Sequence, residues 1–229
     1  MTAGLIAALD TTESETALAW ARAVRPYCGM VKLGLEYFLA NGAAGMKLFD
    51  GTPVFLDLKL HDIPNTVAGA VRAVLDLRPA MLTLHAAGGA LMIEAARTAA
   101  EQAGEARPLL LAVTVLTSLD GEALHATGVA GGARQQVLRL ARLAMAAGAD
   151  GLVCSPLEVA MLRDALGADP VLVVPGIRPA GSDSGGQARV MTPREASDAG
   201  ADWLVVGRPI TQSLNPGHAA EAIAAELAA

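Results

Sequence analysis

The sequence predicts an α/β fold, a closed (β/α)8 TIM barrel forming a single domain over residues 1–229, and three observations carry that prediction. Eight short apolar runs recur along the chain, each followed by a longer stretch with helical periodicity, the pattern of repeated βα units on a parallel sheet. The composition is 53% hydrophobic, 17% charged and only 3% aromatic, which suits small side chains packed between helices and parallel strands better than an aromatic-rich sandwich. Eight such units in 229 residues match a closed barrel near the lower end of its size range, whereas doubly wound folds usually stop sooner.

In chain order, the first strand is expected at Leu5–Leu9, where an apolar run meets Asp10, and Ser14–Arg25 follows with Ala and Leu on one face and Arg and Glu on the other. Met30–Leu33 is the second strand and Val54–Leu58 the third, followed by an amphipathic Val67–Leu77. Met81–Leu84 and Leu109–Val115 supply strands four and five. Gln136–Ala147 is a helix that Gly148 stops, since glycine readily takes the left-handed conformation at a helix end. Gly151–Cys154, Val171–Val174 and Trp203–Val206 complete the set, with Gly200 ending the helix before the last strand and Ala219–Leu227 closing the ring.

Several function classes fall away. A net charge of −6, without a Lys/Arg-rich run, gives no general attraction to nucleic acid, so an anionic ligand must be held locally. No first βα turn carries Gly-x-Gly-x-x-Gly, and no Gly-Lys-Ser/Thr loop occurs, which removes the main support for dinucleotide or NTP binding. Cys28 and Cys154 lack metal-ligand spacing and read as small buried hydrophobes in a reducing compartment. Met1 to Asp10 has no basic stretch before its short apolar run, and no apolar stretch approaches the ~20 residues of a membrane span. A cytoplasmic protein with no membrane association is expected.

The chemistry concentrates on one strand. In Val54-Phe55-Leu56-Asp57-Leu58-Lys59, alternation sends Val54, Leu56 and Leu58 toward the helices and Phe55, Asp57 and Lys59 toward the barrel axis. Asp57 and Lys59 then lie at the carboxyl end of their strand, where barrel enzymes place catalytic groups. Buried charges need partners. Lys32 ends the second strand and Asp10 the first, so acids and bases of adjacent strands meet at one rim, with Asp62 just beyond. Of 17 basic residues only Lys32, Lys47 and Lys59 are lysines, and two of the three fall here. An ammonium can give up a proton and a guanidinium effectively cannot. Two readings stand: a proton-transfer centre, or a structural ion pair at a strand end.

Other positions carry weaker signals. His61 orients a loop or faces the site; His85 lines the site or caps the next helix. Thr117-Ser118, closing strand five, can bond a base edge or cap a short helix. Pro175-Gly176-Ile177-Arg178 ends strand seven and Gly207-Arg208-Pro209-Ile210 ends strand eight. Glycine lets backbone N–H groups approach a phosphate and arginine supplies a two-pronged fork. The polar, glycine-rich Pro179–Arg189 follows strand seven, and is either an ordinary surface loop or a phosphate-holding one.

Leu-Asp-Leu-Lys-Leu-His-Asp-Ile-Pro-Asn-Thr, residues 56–66, resembles the signature of the orotidine 5'-phosphate decarboxylase family. The resemblance extends in order to Ala8-Leu9-Asp10, Val31-Lys32-Leu33-Gly34, Leu84-His85-Ala86, Val115-Leu116-Thr117-Ser118 and the segments ending strands seven and eight. It implies conversion of orotidine 5'-monophosphate to uridine 5'-monophosphate and CO2, the last step of de novo pyrimidine synthesis, without metal or cofactor. It also implies a homodimer with sites at the interface. Lys32, Asp57 and Lys59 would form a charged network with Asp62 of the partner subunit. Asp10 and Lys32 would bind the ribose, with Thr66 reaching across. Thr117 or Ser118 would contact the pyrimidine, Ile63 and Pro175 would line the substrate, and Arg178, Gln187, Gly207 and Arg208 would hold the phosphate. Gly186 departs from the family's pattern, which often has an acid before that glutamine. The related sugar-phosphate enzymes share Asp-x-Lys-x-x-Asp but use Mg2+ on an acid near the end of strand two, where this chain has Lys32. A catalytically silent nucleotide-binding dimer is the reading from another class, opposed by the intact set of four charged residues.

Overall fold

The computed structural model describes residues 2–179 and 191–228. Eight parallel strands close on themselves in sequence order, each pairing with the next and β8 with β1. They are β1 (Gly4–Ala8), β2 (Met30–Gly34), β3 (Val54–Leu60), β4 (Met81–His85), β5 (Leu109–Val113), β6 (Gly151–Val153), β7 (Val171–Pro175) and β8 (Trp203–Val206). Around them run α1 (Ser14–Val24), α2 (Leu35–Lys47), α3 (Pro64–Leu75), α4 (Ala90–Ala100), α5 (Gly121–Ala126), α6 (Ala133–Ala146), α7 (Val159–Leu166), α8 (Pro193–Asp198), α9 (Arg208–Thr211) and α10 (Pro216–Ala228). Among the described residues no helix is long and apolar enough to cross a membrane.

Strand parity divides the core in two. Outward residues such as Leu5, Leu33, Leu56, Leu82, Leu110 and Leu172 pack against the apolar stripes of the helices. Inward residues Ile6, Met30, Phe55, Met81, Leu111, Val173 and Val205 fill the barrel, with Val153 packed on them, so the interior is a solid layer rather than a pore. The layer seals the barrel below and leaves the carboxyl rim as the place where polar inward residues meet. Below it, Asp150 and Asp202 accept from the backbone N–H groups that begin β5 and β7, at Leu110 (2.8 Å) and Leu172 (2.7 Å). Arg107 and Arg97 hold the first carboxylate and Arg163 the second.

Gly148 and Gly200 take φ of +91° and +104° just past α6 and α8, as expected of glycines that stop helices. Strand five is shorter than expected. The ladder ends at Val113, where the Thr114 N–H and hydroxyl both donate to the Val153 carbonyl. Thr117 and Ser118 therefore sit in the exposed turn beyond the strand and do not close it. Cys28 is only half-buried, unlike the buried Cys154.

Candidate active site

β3 is irregular where its charges lie. Leu56 pairs with Leu82 and Leu60 with Leu84, so three residues, 57 to 59, stand opposite the single Thr83. Such a bulge re-aims side chains and is common beside active sites. Lys59 takes the strain in a left-handed backbone conformation with φ +49°, which few residues other than glycine adopt. Its N–H, displaced from the ladder, donates to the Thr83 hydroxyl at 2.8 Å.

The side chains converge on Asp57. Lys59 Nζ donates to Oδ2 at 2.8 Å, Lys32 Nζ lies 3.8 Å from the same oxygen, and the Thr83 hydroxyl donates to Oδ1 at 2.8 Å. Lys32 also donates to Asp10 Oδ1 at 3.0 Å, so two acids and two ammonium groups alternate along the rim. Register explains how Lys32 arrives: it pairs with Phe55, one pleat below Asp57, while Gly34 pairs with Asp57 itself. A Cβ on Gly34 would stand 3.0 Å from Lys32 Nζ and 3.2 Å from Asp10 Oδ1. The space the ammonium occupies exists because residue 34 has no side chain.

Burial would push the Asp57 carboxyl up, but the Lys32 and Lys59 charges, with the Lys59 and Thr83 hydrogen bonds, outweigh it and hold the pKa below the usual carboxylate range. The group is a fixed anion with 12% of its side chain exposed, while Lys59 keeps 30%. Lys59 is the member of the pair that remains open to an incoming molecule.

Above the packed layer a cavity of about 180 Å3 is lined by Lys32, Phe55, Asp57, Lys59, Val113, Val115, Leu116, Thr117, Val153, Cys154, Pro175 and Val205. Most of these are inward residues of their strands, so one wall is charged and the rest apolar. Two larger hollows lie elsewhere, one beneath β3 around Asp50 and Arg78, the other beside Arg134 and Leu157, and neither contains a residue of the charged cluster. Among the described residues no group of three or more His, Cys, Asp or Glu is placed to hold a metal ion.

The structure thus brings together Asp10, Lys32, Asp57 and Lys59, and places Thr117 and Pro175 on the same cavity. Asp62, Ile63 and Thr66 are exposed at the start of α3. Among the described residues Asp62 accepts only from the Ile63 N–H, at 2.7 Å, and joins no ion pair with Lys32 or Lys59. Ser118 is exposed next to Thr117, and α5 is capped by Asp120 rather than by either hydroxyl. Arg178 is buried just past β7, its guanidinium donating to the Ile177 carbonyl and its N–H to Met191. Arg208 is exposed at the start of α9, past β8. A Cβ on Gly207 would stand 3.5 Å from Ala8 Cβ and 4.0 Å from Asp10 Oδ2, so the β8 rim adjoins the β1 rim there. Gly186, Gln187 and the glycine-rich run after Pro179 lie outside the described residues. His85 makes no capping bond. Its ring stands 5.2 Å from that of His61, and burial, His61 and Lys59 lower its pKa against the opposing pull of Asp57. Thr83, buried at the centre of the network, escaped the sequence reading; its parity with Met81 was the signal that it points inward.

Fold and site together define a (β/α)8-barrel enzyme with a lysine–aspartate–lysine centre at its carboxyl rim. The chain belongs to the orotidine 5'-phosphate decarboxylase / HUMPS family, whose model matches residues 4–223. It is 57% identical over 228 residues to an orotidine 5'-phosphate decarboxylase of Gluconobacter oxydans, covering 98% of this chain and 97% of that one. It is 56% identical to one from Thermobifida fusca, covering 99% and 97%. The crystal structure of the Lactobacillus acidophilus orotidine 5'-phosphate decarboxylase superposes with a TM-score of 0.88 at 39% identity, covering 99% of this chain and all of the other.

Proposed function

We propose that this chain, acting as one barrel domain over residues 1–229, converts orotidine 5'-monophosphate to uridine 5'-monophosphate and CO2, the last step of de novo pyrimidine synthesis, with no metal or cofactor. The observation that carries the proposal is the pair of ammonium groups clamped on a buried carboxylate at the wall of a small, otherwise apolar cavity. At about 180 Å3 the cavity is smaller than the roughly 300–1,000 Å3 of pockets that swallow whole ligands. It suits one heterocycle, with the sugar and phosphate extending along the rim.

Loss of CO2 leaves an electron pair on C6 in the plane of the ring, where the ring cannot delocalise it. A fixed ammonium beside that carbon is the natural stabiliser, and Lys59, bonded to Asp57 and partly exposed, has that position and then gives C6 its proton. Asp57 lies beside the departing carboxylate and holds both lysines in place, while Lys32 and Asp10 take the ribose hydroxyls. Thr117, with Ser118 beside it, meets the pyrimidine edge, and Ile63 and Pro175 line the ring. Arg178, Gln187, Gly207 and Arg208 take the phosphate. The working unit is a homodimer in which the partner's Asp62 completes the charged network and the partner's Thr66 reaches the ribose. Both residues are exposed, with Ile63 67% exposed between them.

The family description also spans sugar-phosphate enzymes. Against that branch stands Lys32, whose ammonium occupies the position between Asp10 and Asp57 that a divalent cation would need. Incubating the purified protein with orotidine 5'-monophosphate in EDTA and following pyrimidine absorbance tests the reading. Steady loss of absorbance is expected; activity that disappears in EDTA and returns with Mg2+ would overturn the metal-free mechanism, and no turnover at all would overturn the substrate.

A further inference from the structure

Thr83 is fully buried on β4, in a barrel whose other fully buried inward residues are apolar. Its hydroxyl has a single proton, and the geometry assigns it: Oγ1 lies 2.8 Å from Asp57 Oδ1 and 2.8 Å from the Lys59 backbone nitrogen. The backbone nitrogen can only donate, and the carboxylate, held ionised by its lysines, can only accept. Thr83 therefore donates to Asp57 and accepts from Lys59, which orients both residues through one atom.

The location gives that atom its importance. Residues 57 to 59 bulge out of register with β4, so the Lys59 N–H has no ladder carbonyl, and Lys59 itself is held at φ +49°. Strained conformations of this kind persist only when their surroundings over-determine them, and a buried N–H left unpaired carries a substantial penalty. The threonine oxygen stands where the missing ladder acceptor would be.

We propose that Thr83 is a positioning residue of the catalytic centre: its hydroxyl fixes the left-handed turn at Lys59 and one oxygen of Asp57, and so sets where the Lys59 ammonium stands. The inference rests on the decarboxylase reading above and adds to it a residue that touches no substrate.

Comparing the wild type with Thr83→Val, Thr83→Ser and Thr83→Ala tests it. Thr83→Val keeps the shape and removes the hydroxyl, and is expected to lower kcat about 10- to 100-fold with KM changed less than about threefold. Thr83→Ser is expected to restore most of that loss. Full kcat in Thr83→Val, or a loss that serine does not restore, would overturn the proposal. If the valine protein does not fold, Thr83→Ser and Thr83→Ala differ by one oxygen atom, and equal kcat in those two would overturn it as well. A readout independent of turnover separates this inference from the choice of substrate. In protein carrying 13C at aspartate Cγ, Asp57 is expected to titrate at higher pH in Thr83→Val than in wild type. That shift, found in a protein inert toward orotidine 5'-monophosphate, would support the positioning role while the substrate reading fails; an unmoved Asp57 titration would overturn the positioning role.

Discussion

Lys59 sits at a tension between backbone and chemistry: a left-handed conformation unfavourable for lysine places its ammonium 2.8 Å from a buried carboxylate with a side still open to the cavity. A residue whose main interaction develops only as charge appears on the substrate contributes to turnover rather than to binding. Lys59→Ala is therefore expected to lose kcat by on the order of 10^4-fold while still binding uridine 5'-monophosphate with an affinity near that of wild type. Calorimetry against the product beside a turnover assay checks both halves, and an equally active variant would remove Lys59 from the mechanism. Gly34 makes the complementary case, a residue that acts through what it lacks. A methyl group there would press on Lys32 Nζ and Asp10 Oδ1, and its φ of −95° permits alanine without strain. Gly34→Ala is expected to melt within about 2 °C of wild type yet to lose roughly 10- to 100-fold in kcat/KM, because small displacements of catalytic groups are costly. Unchanged kcat/KM would mean that Lys32 tolerates displacement.

At the scale of elements, period-two alternation read β3 well: Phe55 is in the barrel layer and Leu56 and Leu58 pack outward, as the residue pattern requires. The same rule placed Asp57 and Lys59 inward, and both are there. What alternation does not contain is the bulge. It comes with a hydrogen bond to Thr83 on the neighbouring strand, and a pairing between residues 24 positions apart leaves no local trace. β5 likewise ends at Val113, with the Thr114 N–H and hydroxyl both on the Val153 carbonyl, although the β-branched Thr114 and Val115 favour a longer strand. Strand contacts also set a stability limit away from the chemistry. Gly151 begins β6 so close to β7 that a Cβ would run into the Val171 backbone carbonyl. Gly151→Ala is expected to destabilise the fold by about 1–3 kcal/mol, lowering Tm by roughly 2–12 °C for a chain of this size, while the folded fraction retains its KM. A Tm equal to that of wild type would show that β6 can shift without cost.

For the whole molecule, the proposed homodimer would leave each barrel with a site that its own chain does not complete. Asp10, Lys32, Asp57 and Lys59 assemble within the chain, whereas Asp62 and Thr66 stand exposed on the segment that leaves the same strand. If a second copy supplies them across a two-fold axis, each site combines Lys59 of one subunit with Asp62 of the other. Two singly inactivated proteins then become informative together. In a mixed dimer of Lys59→Ala and Asp62→Ala subunits, one site carries both lesions and the other carries neither. Equal amounts of the two, unfolded together and refolded, should form mixed dimers half the time and so recover about a quarter of wild-type turnover, although each alone is nearly silent. Orotidine 5'-monophosphate turnover after co-refolding measures this directly. Recovery that scales with the fraction of mixed dimers would place Asp62 in the partner's site. No recovery, from subunits shown by sedimentation to have exchanged, would return Asp62 to its own chain and require the segment after β3 to fold back over Lys59 when substrate binds.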